Sequence, residues 1–170
     1  MMLLFLFLLL VVPYLLLALL DRATDFRIRP NTRARVGLSL FFIFTAIGHF
    51  VKAEEMSQML PPSVPYRIEI IFLTGVLEIL GAIGVWIAPL MKLTGFCLIL
   101  ILICFLPANI YSALNHVDFG GHGEGPAYLL FRVPFQFFVI WWTYYATEQT
   151  WFGRHPESSE SGRLSFRRLV

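Results

Sequence analysis

Long apolar stretches dominate the chain, and short polar stretches separate them. Residues 1–20 and 93–115 contain no charged side chain at all. About 20 mostly apolar residues span the roughly 30 Å hydrocarbon core of a bilayer. The pattern therefore predicts five membrane-spanning segments, at residues 1–20, 36–51, 66–90, 93–115 and 126–147. Lipid leaves backbone amides no partner outside a helix or a closed barrel, and runs of this length exclude a barrel, so each segment is predicted to be helical.

Composition agrees with a polytopic, all-α membrane protein. Hydrophobic residues make up 58% of the 170 residues and charged residues 14%, and the mean hydropathy is +0.73. A soluble domain is about 45–50% apolar and about 25% charged. A single soluble domain is therefore excluded. The net charge of +2 gives no electrostatic support for nucleic-acid binding, and the lipid bilayer is the predicted partner.

Basic residues predict the orientation in the membrane. Arginines cluster after the first segment, Lys92 precedes the fourth segment, and further arginines lie in the C-terminal tail, whereas the opposite side carries only Lys52 and Arg67. The positive-inside rule then places the N-terminus outside and the C-terminus in the cytoplasm of a multi-pass inner-membrane protein. The same orientation predicts an aromatic belt near the cytoplasmic interface, formed by Trp141, Trp142, Tyr144 and Tyr145.

The two ends of the chain are predicted to differ. Residues 1–20 have no preceding basic residue and no following small-residue cleavage site, so they are expected to stay as a transmembrane anchor rather than to be removed as a signal peptide. Residues 153–170 are rich in serine, glutamate and arginine and are predicted to form a flexible cytoplasmic tail.

Polar residues within the predicted spans are the candidates for a functional site. A charged side chain at the bilayer centre costs about 2.5–3.5 kcal/mol even on the gentler scale, so each needs an explanation. At 100° per residue, Glu78 shares a helix face with Gly75 and Gly81 and is expected to face protein. Polar stripes on four helices are predicted to meet in the outer half of the bundle, with Glu78 paired to Arg132. The predicted ligand-binding or polar core consists of His49, Glu78, Asn109, Arg132 and Gln136.

Two interpretations of this polar core stay open. It forms an outward-facing pocket that binds a small molecule or passes protons, or it supplies interhelical hydrogen bonds that only fix the register of the helices.

Other residues of chemical interest point to ordinary roles. Cys97 and Cys104 lie about 10 Å apart along one helix, too far for a disulfide, and are expected to be packing residues. The outer loop 115–125 contains metal-competent side chains, namely His116, Asp118, His122 and Glu124. Their glycine-rich setting fixes no ligand geometry, so a solvated loop without a metal site is predicted. No pair of haem-ligating histidines stands out.

Several short motifs, taken in order, resemble one known family. They are G-H-F at 48–50, L-P-P-x-x-P-Y at 60–66, L-T-G-V-L-E-I-L-G-A-I-G at 73–84, P-A-N at 107–109 and R-V-P-F-Q at 132–136, ahead of Trp141 and Trp142. Together they resemble the DoxX-like family of small bacterial integral membrane proteins. The resemblance covers about residues 34–147. It implies a four-helix membrane domain there, with residues 1–20 as an additional N-terminal helix and the five polar residues as a shared core.

The resemblance implies three functions without assigning catalytic residues. Relatives in the DoxX-like family have been linked to thiosulfate:quinone oxidoreduction, to complexes for oxidative-stress defence and to the assembly of other membrane proteins. The first hypothesis is an auxiliary subunit of a redox or quinone-linked membrane complex, with quinone as the cofactor. The second is a small-molecule binding or transport module with an outward-facing polar pocket. The third is an assembly partner for other membrane proteins without chemistry of its own. Because the three hypotheses differ in this respect, the sequence does not decide whether the protein is an enzyme.

Overall fold

A computed structural model describes residues 2–24 and 27–147, and over these residues the protein is all-helical. Six α-helices are joined by short connections, and a single 3₁₀ turn, His122–Glu124, precedes the last of them. The α-helices are α1 (Met2–Ala23), α2 (Pro30–Val51), α3 (Ala53–Ser57), α4 (Arg67–Gly84), α5 (Met91–Leu114) and α6 (Pro126–Ala146). The predicted tail, 153–170, lies outside the described residues.

Three helices in the described part of the chain, α1, α2 and α5, are long and apolar enough to cross a membrane. This indicates a membrane protein and agrees with three of the five predicted spans. The other two, α4 and α6, are helices of 18 and 21 residues. They carry most of the charged residues of the polar core, which lowers their hydropathy. Helix α4 ends at Gly84, six residues before the predicted boundary, because a turn follows it there.

The basic connection after α1 is shorter than predicted, because α2 begins at Pro30. Proline is favoured in the first turn of a helix, where its missing N–H costs nothing. Asp21 near the end of α1 forms an ion pair with Arg33 in α2. Its other carboxylate oxygen accepts a hydrogen bond from the Ile28 backbone N–H at 2.7 Å. These contacts bring α1 and α2 together as an antiparallel pair.

The apolar core is formed by α1, α2, α4, α5 and α6. Its fully buried members include Leu10, Phe42, Leu98 and Val139, which lie on α1, α2, α5 and α6, respectively. Helix α1 approaches α2 so closely at Gly37 that a Cβ there would overlap the Leu10 carbonyl oxygen. Small residues permit such backbone contact between membrane helices.

The outer surface of the bundle is apolar. Large hydrophobic side chains are exposed along every long helix, and Leu130 and Phe131 are the most exposed of those on α6, at 74% and 73%. A monomeric soluble protein rarely carries an apolar surface of this extent. The pattern is the one expected of helices that face lipid.

Two tryptophans join helices at the end of the bundle where α4 and α6 finish. The Trp86 indole donates to the Ser39 hydroxyl at 2.8 Å, and this hydroxyl donates to the Ala82 carbonyl at 3.0 Å. The Trp142 indole donates to the Ala34 carbonyl at 3.0 Å. The Trp142 ring is therefore buried between helices, whereas its neighbour Trp141 is 55% exposed on the outside of α6.

Candidate functional site

The predicted core residues lie in the half of the bundle where α2 and α5 end and α4 and α6 begin. His49 lies two residues from the end of α2, Asn109 lies five residues from the end of α5, and Arg132 lies six residues into α6. Glu78 and Gln136 lie closer to the middle of their helices. All are buried except Arg132, which is half-buried. The structure separates them into two clusters and one isolated amide.

The first cluster, here called the His–Glu pair, joins α2 to α4. The Nε2 atom of His49 lies 3.7 Å from Oε1 of Glu78. The Glu78 side chain is almost completely buried, and its Oε2 atom is buried without a hydrogen-bond partner. The carboxyl is therefore in contact with the imidazole but is not held by a hydrogen bond to it.

The position of the His49 ring is fixed from its other side. Its Nδ1 atom lies 3.0 Å from the Ile71 carbonyl and 2.9 Å from the Thr74 hydroxyl, which itself donates to the Ile71 carbonyl at 2.8 Å. All three groups are satisfied when Nδ1 carries the ring proton, because a carbonyl can only accept. In the neutral ring, Nε2 then presents a lone pair to Glu78.

A glycine makes the His–Glu pair possible. A Cβ on Gly75 would lie 2.8 Å from Cβ of His49 and 3.2 Å from the Phe50 ring. Helix α4 therefore approaches α2 closely at this point, and Glu78, one turn further along α4, is placed beside the imidazole. The small-residue face that the sequence predicted for α4 is confirmed at Gly75.

The second cluster, here called the Arg cluster, joins α5, α6 and the loop between them. Arg132 donates through Nε to Oδ1 of Asn109 at 3.1 Å, and Nδ2 of Asn109 donates to the Phe105 carbonyl at 2.8 Å. The guanidinium also lies over the Phe135 ring, 5.9 Å from its centroid. Within the described residues, its terminal nitrogens make no hydrogen bond.

His122 is the third member of the Arg cluster, and the prediction of a solvated loop is wrong for it. The side chain is only 2% exposed. Its Nε2 atom lies 3.1 Å from Oδ1 of Asn109, and its Nδ1 atom lies 2.7 Å from the Phe119 carbonyl. The ring also packs edge-on against Tyr128, with 4.7 Å between centroids. The loop is thus folded back onto the bundle interior.

The glycines of this loop were a sequence signal for its shape, although a glycine-rich segment is usually interpreted as a solvated loop. Gly120, Gly121 and Gly125 all have positive φ angles, which allow the chain to reverse twice within a few residues. At Gly121, a Cβ would lie 2.8 Å from the Tyr128 ring, so no side chain fits there. Glycines at these positions indicate a shaped loop rather than a mobile one.

The charge state of His122 follows from its surroundings. Burial lowers the pKa of His122, the neighbouring Arg132 charge lowers it further, and the hydrogen bond to the Phe119 carbonyl partly opposes this. The imidazole is therefore neutral near pH 7 and has one proton for two oxygen acceptors. The proton belongs on Nδ1, which makes the shorter contact.

Gln136 is separate from both clusters. Its Nε2 atom donates to the Leu102 carbonyl at 2.7 Å and so ties α6 to α5. The side chain is fully buried. This contact fits the alternative in which buried amides fix helix register.

The predicted pairing of Glu78 with Arg132 is not observed, because each has a different partner. Helix α4 turns Glu78 toward α2, and α6 turns Arg132 toward α5. Phe105 lies against both clusters, since its ring stacks on His49 at 5.8 Å and its carbonyl accepts the Asn109 amide. The two clusters are neighbours that share a phenylalanine.

Other candidate ligands are dispersed. In the described part of the chain, no group of three or more His, Cys, Asp or Glu side chains could hold a metal ion. His116 lies near the Gly123 carbonyl, 3.3 Å away. Cys97 and Cys104 are free thiols exposed on the outside of α5, not packed inside the bundle as expected.

Comparisons with known proteins assign the chain to a family. Neither a curated protein nor a solved structure matches the chain. A family model described as Domain of unknown function (DUF8561) matches residues 38–147, which include both clusters and Gln136 but not α1. Because the match covers well over half of the sequence, the chain belongs to the DUF8561 family.

Proposed function

We propose that the protein is a DoxX-like inner-membrane protein that binds a quinone-type head group at the Arg cluster and acts as an auxiliary subunit of a quinone-linked redox complex. Residues 34–147 form the four-helix membrane domain in this proposal, and α1 is an additional span. The N-terminus lies outside and the C-terminus in the cytoplasm. The Arg cluster then opens toward the outer face.

The geometry of Arg132 is the observation that carries the ligand proposal. One nitrogen anchors the guanidinium to Asn109, while the terminal nitrogens have no partner among the described residues. A charged donor in a lipid-facing bundle is costly unless it is bonded. Quinone carbonyl oxygens are acceptors that match such donors, and the flat ring matches the aromatic surface of Phe135.

The membrane topology is supported by the distribution of charge and apolar surface. Helix α4 is about 27 Å long at 1.5 Å per residue, close to the thickness of the hydrocarbon core. Arg33, Arg35 and Lys92 lie at the end of the bundle that the positive-inside rule assigns to the cytoplasm. Reporter fusions at residue 170 test this: we expect a fluorescent-protein fusion to fluoresce and an alkaline phosphatase fusion to be inactive. The opposite result would reverse the orientation.

Native mass spectrometry tests whether a ligand is present. The full chain is purified in lipid nanodiscs from its membrane, and we expect a quinone to remain bound. Binding of a short-chain ubiquinone or menaquinone is then measured by isothermal titration calorimetry. A parent protein that retains no quinone and binds neither analogue would contradict the ligand proposal and favour the assembly-partner hypothesis.

Substitution of the guanidinium tests the proposed contact. A hydrogen bond to a charged group contributes about 1.5–3 kcal/mol, so Arg132→Gln is expected to weaken quinone binding by about tenfold or more. Arg67→Gln removes the same charge at the start of α4, outside the Arg cluster, and should leave affinity unchanged. Equal affinity of parent and Arg132→Gln would exclude Arg132 as the ligand-binding group.

A transport function is the second candidate, because the His–Glu pair offers buried proton-binding groups that the quinone proposal does not use. A transport role requires transfer of a proton or small molecule across the bilayer. Reconstitution in vesicles with an internal pH indicator tests it. Proton uptake that depends on Glu78 would favour transport over an auxiliary redox role.

A further inference from the structure

We infer that His49 and Glu78 form a proton-exchange site that holds one proton between the imidazole Nε2 and the carboxyl group. This site uses residues other than the Arg cluster and needs no quinone. It therefore goes beyond the proposed ligand binding and can be tested without it.

The fixed orientation of His49 is the first argument. The Ile71 carbonyl and the Thr74 hydroxyl together hold Nδ1 at 3.0 Å and 2.9 Å. Only Nε2 is left for exchange, and it faces Glu78 at 3.7 Å. This distance is longer than a hydrogen bond. A rotation of the carboxyl group that moves its oxygen by under 1 Å would bring the oxygen within hydrogen-bonding distance of Nε2.

The unpartnered oxygen of Glu78 is the second argument. A glutamate that serves only to join helices is expected to use both oxygens, as the Gln136 amide and the Ser39 hydroxyl use their polar atoms in this bundle. Glu78 is 2% exposed, and its Oε2 atom has no hydrogen-bond partner. The Thr45 hydroxyl, the other polar group beside the carboxyl, donates to carbonyls of its own helix.

Charge neutrality is the third argument. With one shared proton, the pair is either a neutral acid beside a neutral imidazole or a carboxylate beside an imidazolium, and both arrangements carry no net charge. Removal of the proton leaves a buried anion with an unbonded oxygen, and addition of another leaves a buried cation. Each costs several kcal/mol in a low-dielectric interior, so the pair takes up and releases its proton as a unit.

The neighbouring charged groups are kept apart from the pair. Arg132 on α6 and His122 in the loop belong to the Arg cluster, and the Phe105 ring stacks against the face of His49. Lys52 and Glu55, beyond the end of α2, are bonded to each other at 2.7 Å and are exposed. No other charged group of the described helices contacts the pair, so its proton exchange is expected to depend on His49 and Glu78 alone.

Infrared difference spectroscopy of the full chain in quinone-free nanodiscs tests the inference. Spectra of the parent minus Glu78→Gln are expected to show a carboxylic acid C=O band that shifts in D₂O and disappears on alkalinisation. In His49→Gln, the midpoint of that titration should move by about one pH unit or more, since this is the coupling of directly interacting groups. Glu69→Gln, on the same helix, is the matched control. The band in the spectrum of the parent minus Glu69→Gln should not change when His49→Gln is introduced.

Two results would overturn the inference. One is a Glu78 band that neither exchanges with D₂O nor titrates between about pH 5 and pH 10, because such a carboxyl is a permanent structural group. The other is a titration midpoint that His49→Gln leaves unchanged. If a variant does not fold, ¹⁵N-histidine NMR of the parent gives the same decision. One of the four histidines is expected to titrate at the same pH as a carboxyl group. If no histidine of the parent does so, the pair is excluded.

Discussion

The two polar clusters inside the bundle hold their charged groups in different ways. In the His–Glu pair, the imidazole is fixed by two hydrogen-bonding partners, while Oε2 of Glu78 is buried without a hydrogen-bond partner among the described residues. In the Arg cluster, the charged guanidinium is anchored through Nε, and its neighbours Asn109 and His122 are each bonded further to a backbone carbonyl. The His–Glu pair is closed to solvent and has one unbonded oxygen, whereas the Arg cluster is hydrogen-bonded and its guanidinium is half-buried.

The two clusters can therefore accommodate different partners. The His–Glu pair lies where Gly75 brings α2 and α4 into close contact, and both of its side chains are almost completely buried, so the pair is closed to larger molecules. Arg132 is half-buried, and its terminal nitrogens have no hydrogen-bond partner in the part of the chain that the structure describes, which is the feature on which the quinone proposal rests. A closed site and an open site that share Phe105 are suited to proton exchange and ligand binding, respectively.

The closed packing at Gly75 should be the most sensitive feature. In Gly75→Ala the added methyl group meets Cβ of His49 at 2.8 Å, and neither backbone can yield easily. We expect a loss of about 1–3 kcal/mol in the free energy of unfolding, the usual cost of overpacking, measured in mixed detergent micelles. Gly48→Ala is the control, since no atom lies within 4 Å of its Cβ position. Equal stability of both variants would show that α2 and α4 are not in close contact.

Acidification should loosen the Arg cluster through His122. Its lowered pKa in the folded state means that the opened loop binds a proton more readily. Stability of the closed loop is therefore present above about pH 6.5 and is lost as the pH falls toward the folded-state pKa, by up to about 1.4 kcal/mol per unit. Amide hydrogen exchange across residues 117–125, corrected for intrinsic rates, should accelerate in this range. His122→Asn should abolish this pH dependence and His116→Gln should preserve it; a reversed pattern would assign the effect to His116.

The shared Phe105 ring should connect the two clusters. Phe105→Leu removes the stacking on His49 while keeping the backbone carbonyl that Asn109 uses. Aromatic pairs contribute about 0.5–1.5 kcal/mol, so we expect a stability loss of about 1 kcal/mol and a change in the His49 NMR shifts. The His122 shifts should stay unchanged. A simultaneous change at both histidines would show that the clusters are not independent.

The smallest effect is expected at Gln136, which lies outside both clusters. Gln136→Leu removes the hydrogen bond to the Leu102 carbonyl at nearly constant volume. Interhelical hydrogen bonds in membranes average about 0.6 kcal/mol, so unfolding free energy should fall by about this amount. Quinone binding should not change. A loss of binding in Gln136→Leu would extend the ligand site along α6.

The sequence was sufficient to predict the helices and the side of α4 that faces protein. Long apolar runs predict the five long helices, and the spacing of Gly75, Glu78 and Gly81 predicts the buried face of α4, because both are local patterns along the chain. The partners of Glu78 and Arg132 could not be predicted in this way. They depend on which helices become neighbours, and polar stripes on four helices allow several pairings.

His122 shows a second limit of sequence reasoning. A histidine between glycines is typical of an exposed loop, and its burial depends on three positive φ angles that only the folded chain defines. The start of α2 at Pro30 could have been predicted more easily from the sequence, because a proline followed by a helical pattern is a recognisable helix beginning.

The hydrogen-bonded indoles at the opposite end of the bundle determine what intrinsic fluorescence can measure. Trp86 and Trp142 donate their N–H groups to Ser39 and to the Ala34 carbonyl, so their emission reports whether neighbouring helices stay together. Trp141, with its ring exposed on the outside, reports instead on the surrounding lipid or detergent. Among the tryptophans of the described residues, quenchers attached to acyl chains should therefore reach Trp141 and the 45% exposed Trp86 before the buried Trp142. A red shift of the Trp142 emission would mark the moment at which the bundle comes apart.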